Sequence, residues 1–245
     1  MAYQNQPMED TLLYARAAEI AAVAPASERV AFIRRTYLHL AGAVAAFVAI
    51  EAALLASPLR DTLLNLMLGN GRLGWLIVLG GFMAVSWLAN SWALAGGSRG
   101  KQYAGLGLYV LAQAVIFVPL LAFAAQQNPA AILYAGVSTV VLFGGLTASV
   151  FLTRHDFSWL SPMLVVGGLA GLLFIIVGAF TGFSDALWFG FICGMVFLAC
   201  GYILYSTSNV LHHYRTDQHV AASLALFAAV ALLFWYLVQL FLSRR

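Results

Sequence analysis

One acidic residue, Glu51, lies well inside a long apolar stretch of the chain. If that stretch crosses a membrane, an ionisable side chain there is costly, and such residues commonly bind ions or carry protons. Glu51 is therefore our first candidate for a proton or cation site. The alternative, which composition alone favours, is a carboxylate near the membrane interface that reaches water or stays protonated.

Neutral polar side chains occur in the apolar stretches that follow. Ser86 and Asn90 are four residues apart and share a helical face, and Gln113 lies midway along the next stretch. Thr139 and Thr147 share a face of the stretch after that. Together they could line a polar path for ions; equally, they could form hydrogen bonds between helices, which is the interpretation that we prefer from the sequence.

The densest group of polar residues ends the sixth apolar stretch and covers residues 205–217. It includes Ser206 and Asn209, which we add to the candidate path. It also includes His212 and His213, whose imidazoles change charge near neutral pH and are candidate pH-responsive or regulatory groups. The alternative is an ordinary polar helix end that leads into a loop.

The composition is that of an integral membrane protein. Hydrophobic residues make up 63% of the chain and charged residues 9%, whereas soluble domains carry about 25% charged residues. Such a chain cannot cover a water-exposed surface, so its apolar surplus must face lipid. The Lys and Arg residues are scattered over loops and tails, which argues against binding to nucleic acid.

Motifs of the common enzyme classes are missing from the sequence. It contains no HExxH, GxSxG or Walker A motif. Cys193 and Cys200 lack the additional ligands that a zinc site needs. We expect a non-enzymatic protein with no catalytic residues, no resident metal and no cofactor, with calcium as the one ion left open.

Seven apolar stretches have the length of about 20 residues that a helix needs to cross a bilayer. They are continuously apolar, without the alternation of a membrane barrel, so we predict an all-α bundle of seven transmembrane helices. A polar N-terminal tail, residues 1–36, precedes the transmembrane domain, residues 37–245, and contains a helical turn or two around residues 12–23. The predicted spans are 37–56, 73–95, 104–125, 130–152, 160–180, 186–210 and 219–242, with loops between them, the longest being 57–72.

The positive-inside rule predicts the orientation. Eight Lys and Arg residues fall on the side of the N-terminus and four on the other side. The N-terminus is therefore predicted in the cytoplasm and the C-terminus outside. Gly167 with Gly171, and Gly190 with Gly194, form two GxxxG pairs that predict close helix packing.

Two motifs and one shorter segment of the sequence carry a family resemblance. Residues 147–160 read Thr-Ala-Ser-Val-Phe-Leu-Thr-Arg-His-Asp-Phe-Ser-Trp-Leu. This segment resembles the end of the fourth helix of the Bax inhibitor-1 family and the loop after it. The segment 201–212 ends in Thr-Ser-Asn-Val-Leu-His and resembles the end of its sixth helix, most closely in the bacterial YccA-like branch, and the segment 34–37 also fits. The matching residues of the family-motif loop are Thr153, Arg154, Asp156, Phe157, Ser158 and Leu160.

The motif loop also has an architectural interpretation. Asp156 precedes a helix that begins near residues 157–160, and its carboxylate can accept backbone N–H groups at that helix start.

The resemblance implies a seven-helix membrane protein linked to stress and cell-death control. Some members of the family act as pH-sensitive calcium leak channels, in which an aspartate near the end of helix six shares protons with another in helix seven. Here Ser206 occupies the first position and Phe227 lies near the second. Because neither residue can share a proton in this way, the pH latch is not carried over.

Our preferred functional hypothesis is a regulator of membrane-protein quality control. The YccA-like branch is associated with restraint of a membrane-anchored AAA protease, which makes such a protease a candidate partner. The alternative is a calcium or proton leak channel, in which a calcium site would depend on Glu51 and neutral oxygens. We expect a bacterial inner membrane as the location, and the sequence leaves the oligomeric state open.

Overall fold

The computed structural model describes residues 20–69, 71–95 and 98–243, and of Arg72 it describes the backbone only. The described residues form one long succession of α-helices, and seven of these are long and apolar enough to cross a membrane. The prediction of an all-α bundle with seven membrane helices is thus confirmed. The helices are α1 (Ala26–Ala56), α2 (Leu59–Leu68), α3 (Gly71–Ala93), α4 (Arg99–Gln127), α5 (Pro129–Thr153), α6 (Ser161–Thr181), α7 (Asp185–His212) and α8 (His219–Leu242), and a 3₁₀ turn, Ser158–Leu160, precedes α6.

Successive membrane helices run in opposite directions because their connections are short. The start of α1 and the loops after α3, α5 and α7 therefore lie at one end of the bundle, which we call the N-terminal face. The short helix α2, the loops after α4 and α6, and the end of α8 lie at the other end, the C-terminal face.

Helices α4 and α8 form the centre of the bundle. In their most apolar segments 56% and 50% of the residues are buried, against 6% in the segment that contains α6. Helix α6 is peripheral, and Gly171 is its single buried residue. Alanines such as Ala114 and Ala229 are fully buried on the central helices, and their small side chains let helix backbones approach closely in lipid.

The first membrane helix begins at Ala26 rather than at residue 37. The buried residues Phe32 and Thr36 continue the stripe formed by Leu40 and Phe47 at helical spacing. Charged residues on the other faces of this first part, including Glu28 and the arginines after it, lower its hydropathy. The apolar stretch in the sequence therefore begins only at residue 37.

The predicted loop 57–72 contains the amphipathic helix α2. Pro58 precedes the first turn of this helix, and Asp61 lies within that turn, where a negative charge interacts favourably with the helix dipole. Met67 anchors α2 in the bundle, since its side chain is 2% exposed.

The helical turn predicted around residues 12–23 lies mostly outside the described residues. Residues 21–24 form a turn rather than a helix. The N–H of Ala21 donates a hydrogen bond of 2.9 Å to the carbonyl of Tyr214. This contact fixes the chain before α1 to the loop between α7 and α8.

The two GxxxG pairs have different outcomes. Gly167 and Gly171 face Leu198 and Met195 of α7, and a Cβ atom at either glycine would contact those side chains. The prediction of a close packing seam is confirmed there. It is wrong for Gly190 and Gly194, where a Cβ atom would meet nothing within 4 Å.

Candidate polar site in the membrane core

Glu51 is buried on the inner face of α1. It is 4% exposed, and it follows Phe47 by one helical turn on the same stripe. Neither of its carboxylate oxygens has a hydrogen-bond partner among the described residues. A buried charged carboxylate without a partner is strongly unfavourable, so this position is suited to a carboxyl group that binds and releases a proton or a cation.

The helix register shows the depth of Glu51. The rings of His39 and His219 lie 5.0 Å apart, and those of Phe47 and Phe227 lie 6.0 Å apart. Helices α1 and α8 are therefore parallel and in step, since the same number of residues separates the two contacts on each helix. Glu51 consequently lies beyond the Phe47–Phe227 contact, on the side of the C-terminal face.

A layer of aromatic rings crosses the middle of the bundle. Phe47 of α1 packs against Phe117 of α4 with ring centroids 5.1 Å apart, and Tyr109 packs edge-on against Phe227 at 6.0 Å. Phe117 and Phe227 are 0% and 1% exposed. We call Phe47, Phe117 and Phe227 the aromatic layer; it separates the surroundings of Glu51 from the N-terminal half of the bundle.

A cluster of hydroxyl groups lies on the N-terminal side of this layer. The hydroxyl of Tyr37 on α1 lies beside those of Thr147 on α5 and Thr207 on α7. All three oxygens are buried, and none has a hydrogen-bond partner of good geometry in the part of the chain that the structure describes. Because an unpaired buried hydroxyl costs about 1–3 kcal/mol, rotation of these neighbouring hydroxyls into mutual hydrogen bonds would stabilise this hydroxyl cluster.

Histidine and tyrosine side chains join three helices at the N-terminal face. His39 of α1 contacts the carbonyl of Arg35 through Nδ1 at 2.7 Å and the hydroxyl of Tyr103 on α4 through Nε2 at 3.0 Å. A carbonyl only accepts, so Nδ1 carries a proton, and in the neutral ring Nε2 accepts from the Tyr103 hydroxyl. His219 at the start of α8 completes the group.

The structure does not gather the predicted path residues into one continuous line. Gln113 is buried at 7% exposed, with Oε1 unpaired, but it lines a separate cavity whose lining does not include Glu51. Asn90 is exposed near the end of α3, so its expected place on an interior path is not seen. Ser206 is buried with an unpaired hydroxyl. Asn209 is half-buried, and its backbone carbonyl accepts the N–H groups of His213 and Tyr214.

Thr139, the remaining threonine of the predicted set, forms a hydrogen bond within its own helix. Thr139 is buried and donates to the carbonyl of Ala135, four residues earlier, at 2.7 Å. This hydrogen bond lies within one helix, so it is neither part of a path nor a contact between helices.

The family-motif loop is connected to α7 through Ser208. The Ser208 hydroxyl accepts a hydrogen bond of 2.8 Å from the N–H of Phe157 and lies 3.2 Å from Oδ1 of Asp156. Its single proton is best used toward the carboxylate, because charge-assisted hydrogen bonds are the stronger ones. Asp156 Oδ1 also accepts the N–H of Ser158 at 2.9 Å, which is the helix-start contact expected from the sequence.

The two neighbouring histidines differ in their contacts. His212 lies beside Ser208, with Nδ1 at 3.0 Å from its carbonyl oxygen. His213 is exposed, and its Nε2 lies 3.8 Å from Asp156 Oδ2. Of the predicted pH-responsive pair, His213 is the one that contacts an acid.

Two opposing influences act on the pKa of Asp156. Partial desolvation raises the pKa, but hydrogen bonds from Ser158, the charge of His213 and the Ser208 hydroxyl together outweigh it, so the pKa lies below its ordinary value. The carboxylate is therefore charged at neutral pH and holds the loop in place.

The other end of the motif shows how α5 stops. The hydroxyl of Thr153 donates to the carbonyl of Ser149 at 2.8 Å. Arg154, the residue after the helix, has a left-handed backbone with φ of 53°. Glycine or asparagine normally occupies this position.

Sequence reasoning missed Ser208, Tyr37 and Thr207 as site residues. Ser208 lies one residue from Thr207 within the motif that was recognised, yet its contact partner is about fifty residues away in sequence. Only the folded structure shows which hydroxyl of the Ser-Thr-Ser segment faces the loop. Among the described residues, no group of three or more His, Cys, Asp or Glu side chains could hold a metal ion.

A comparison with protein families decides the wider relationship. The sequence model of one family, described as inhibitor of apoptosis-promoting Bax1, matches residues 29–245. The chain belongs to the Bax inhibitor-1 family. None of the curated proteins matches the sequence.

Ser206 and Phe227 lie at or near the positions of the two acids in the leak-type pattern of the Bax inhibitor-1 family. Ser206 is 2% exposed, and Phe227 is 1% exposed as part of the aromatic layer. In this chain an aromatic ring thus occupies the bundle centre near the position where the leak-type pattern has an acid. The acid of this core is Glu51, on a different helix.

Proposed function

We propose that this protein is a non-enzymatic membrane protein that allows protons to leak across the bilayer, with Glu51 as the carrier group. The observation that supports the proposal most strongly is the burial of both Glu51 carboxylate oxygens without a partner. Among the residues that the structure describes, Glu51 is the single acid buried inside the bundle.

A proton fits this site better than calcium does. Calcium takes six to eight oxygen ligands, usually with several carboxylates among them, and among the described residues Glu51 belongs to no group of three or more His, Cys, Asp or Glu side chains that could hold a metal ion. A lone carboxyl in an apolar environment can exchange one proton without further ligands.

The proposed path has two polar parts separated by the aromatic layer. On the N-terminal side, the hydroxyl cluster of Tyr37, Thr147 and Thr207 offers three neighbouring oxygens that can exchange hydrogen bonds. On the C-terminal side, Glu51 follows Phe47 by one turn. Because the rings of the aromatic layer pack against one another between the two parts, we propose this layer as the gate.

Proton flux into liposomes that hold the purified protein and a pH-sensitive dye tests the proposal. Glu51→Gln keeps the size and polarity of the side chain but removes its titratable proton, so we expect flux to fall at least about tenfold. The matched control is Asp61→Asn, an exposed acid paired with Arg60 on α2, and it should leave the flux unchanged.

Two results would contradict the proposal. Wild-type liposomes with no flux above empty liposomes across pH 6 to 8 would remove it, and equal flux for wild type and Glu51→Gln would remove Glu51 as the carrier. The same liposomes with a calcium dye test the calcium alternative, in which calcium entry, and not proton entry, depends on Glu51.

The second proposal, restraint of a membrane-anchored AAA protease, concerns the N-terminal face. It is favoured by the attachment of the chain before α1 to the α7–α8 loop, which presents an ordered surface at that face. If deleting the gene leaves the turnover of substrates of that protease unchanged, this proposal fails. A bacterial inner membrane and a cytoplasmic N-terminus are part of both proposals, and reporter fusions to either end of the chain test them.

A further inference from the structure

A second feature of the bundle is an elongated cavity in its C-terminal half. It has a volume of about 700 Å³ and lies between α3, α4, α7 and α8, with Ile175 of α6 on its edge. Ligand pockets of proteins typically have 300–1,000 Å³. Glu51 is not in the lining, so this cavity is separate from the proposed proton path.

The cavity is apolar along most of its length and aromatic on its walls. Trp75, Trp188 and Trp235 line it, and the described lining contains no Asp, Glu, Lys, Arg or His side chain. A charged group is therefore not compensated inside it. Hydrocarbon fits these walls.

The two side-chain amides of the lining lie toward opposite ends of the cavity. Gln239 and Ser243 lie near the end of α8, at the C-terminal face. Gln113 lies at the deep end near the middle of α4, with Tyr109 one turn earlier. Gln113 is 7% exposed, and its Oε1 has no partner among the described residues.

From Gln113 to the C-terminal face, the cavity has about the length of one bilayer leaflet. From Gln113 to Phe123, both in the lining, α4 rises by about 15 Å at 1.5 Å per residue. Half of the hydrocarbon core of a bilayer also measures about 15 Å. Of the peripheral helix α6, Ile175 is the one residue in the lining.

We propose that this cavity binds a long-chain fatty acid in its protonated form, with the carboxyl group at Gln113 and the chain directed toward the C-terminal face. Oε1 of Gln113 is enclosed in the structure, and half a turn of the terminal amide exchanges it with Nε2 and presents it to the cavity. The acid O–H then donates to Oε1. This arrangement satisfies the unpaired Oε1. The neutral form of the acid is the favoured one because burial disfavours its charged form.

Quenching of tryptophan fluorescence by dibromostearic acid tests the site, with the full-length protein in nanodiscs of saturated phosphatidylcholine. Three of the six tryptophans line the cavity, so a bound brominated chain quenches a saturable part of the fluorescence. We expect unlabelled stearic acid to reverse this quenching. The methyl ester, which has no O–H group, should bind about tenfold more weakly.

Two glutamine variants distinguish the proposed orientation from the reverse one. Gln113→Leu should raise the dissociation constant about tenfold, as expected when the hydrogen bond to the acid O–H is lost. Gln239→Leu removes the same side chain from the other end of the cavity and should leave the dissociation constant unchanged. A third variant, Leu232→Trp, fills the middle of the cavity and should abolish saturable quenching.

Several results would overturn the proposal. Quenching that never saturates and is equal for acid and ester would mean that the probe only dissolves in the lipid. A loss of affinity in Gln239→Leu with none in Gln113→Leu would place the carboxyl group at the C-terminal face. Unchanged saturable quenching in a folded Leu232→Trp variant would place the probe outside the cavity.

Discussion

The contact between Ser208 and the family-motif loop predicts a local effect of Ser208→Ala. The Ser208 side chain is 0% exposed, and its hydroxyl serves both Phe157 N–H and the Asp156 carboxylate. Loss of the first hydrogen bond costs about 1 kcal/mol. The second is charge-assisted, but Asp156 is about half exposed, so we count it at less than about 1 kcal/mol.

The two contributions together favour local opening of the loop by about 1.5–2 kcal/mol. Since 1.4 kcal/mol corresponds to a factor of ten, the open population should rise roughly ten- to thirtyfold. Arg154 is exposed in this loop and is a site for trypsin. When opening and closing are fast relative to cleavage, the rate of cleavage after Arg154 follows the open population.

The assay is limited trypsin digestion of the protein in detergent, with the fragments that end at Arg154 identified by mass. The matched control is Ser206→Ala, which removes a buried hydroxyl on the same helix that has no hydrogen-bond partner. We expect cleavage after Arg154 to accelerate in Ser208→Ala and to stay near the wild-type rate in Ser206→Ala. Equal rates in the two variants would refute the assignment of Ser208 as the connection.

Three further predictions concern pH, backbone conformation and helix packing. The pKa of Asp156 is lowered in the folded protein. Its stabilising contribution is therefore complete above the ordinary carboxyl pKa of about 4 and is lost as the pH falls through the lower folded value. Between about pH 2 and 6, the midpoint of thermal unfolding should vary less with pH in Asp156→Asn than in wild type. Arg154→Gly should stabilise the protein by about 1 kcal/mol, measured by thermal unfolding, since the left-handed conformation with φ of 53° is strained for arginine. Gly105→Ala should destabilise it by about 1–3 kcal/mol, because the new Cβ would lie 2.5 Å from the carbonyl oxygen of Ala89 on α3. Gly107→Ala is the control for the last variant, as its Cβ would meet nothing within 4 Å, and a similar loss in both variants would contradict the packing argument.

The membrane helices could be predicted because their signal is local. Each backbone polar group inside lipid must be satisfied within its own helix, so an apolar stretch of sufficient length already implies a spanning helix. The prediction failed for two helical segments in which apolar and charged residues occur together. The first part of α1 carries its arginines beside buried Phe32, and α2 is short and amphipathic, so neither raised the local hydropathy enough.

The individual candidate residues show the limits of the same reasoning. Glu51 was selected as a candidate because an acid in an apolar stretch is rare, and the structure shows that its side chain is buried. Asn90 and Gln113 have the same kind of sequence context, yet one is exposed and the other is 7% exposed. A helix that is apolar on all sides gives no indication of which polar residue faces inward.

The sequence by itself determined the number of membrane helices, the position of the family-motif loop and the one acid well inside a predicted span. The tertiary structure alone decided which helices are central, which hydroxyl holds the loop, and where the cavity lies. Helices α4 and α6 illustrate the difference: the spans that contain them are similarly apolar, but 56% of the most apolar segment is buried in one and 6% in the other. The physical reason is that lipid is as apolar as the helix surfaces, so the arrangement of helices depends on close packing and hydrogen bonds between distant residues rather than on hydropathy.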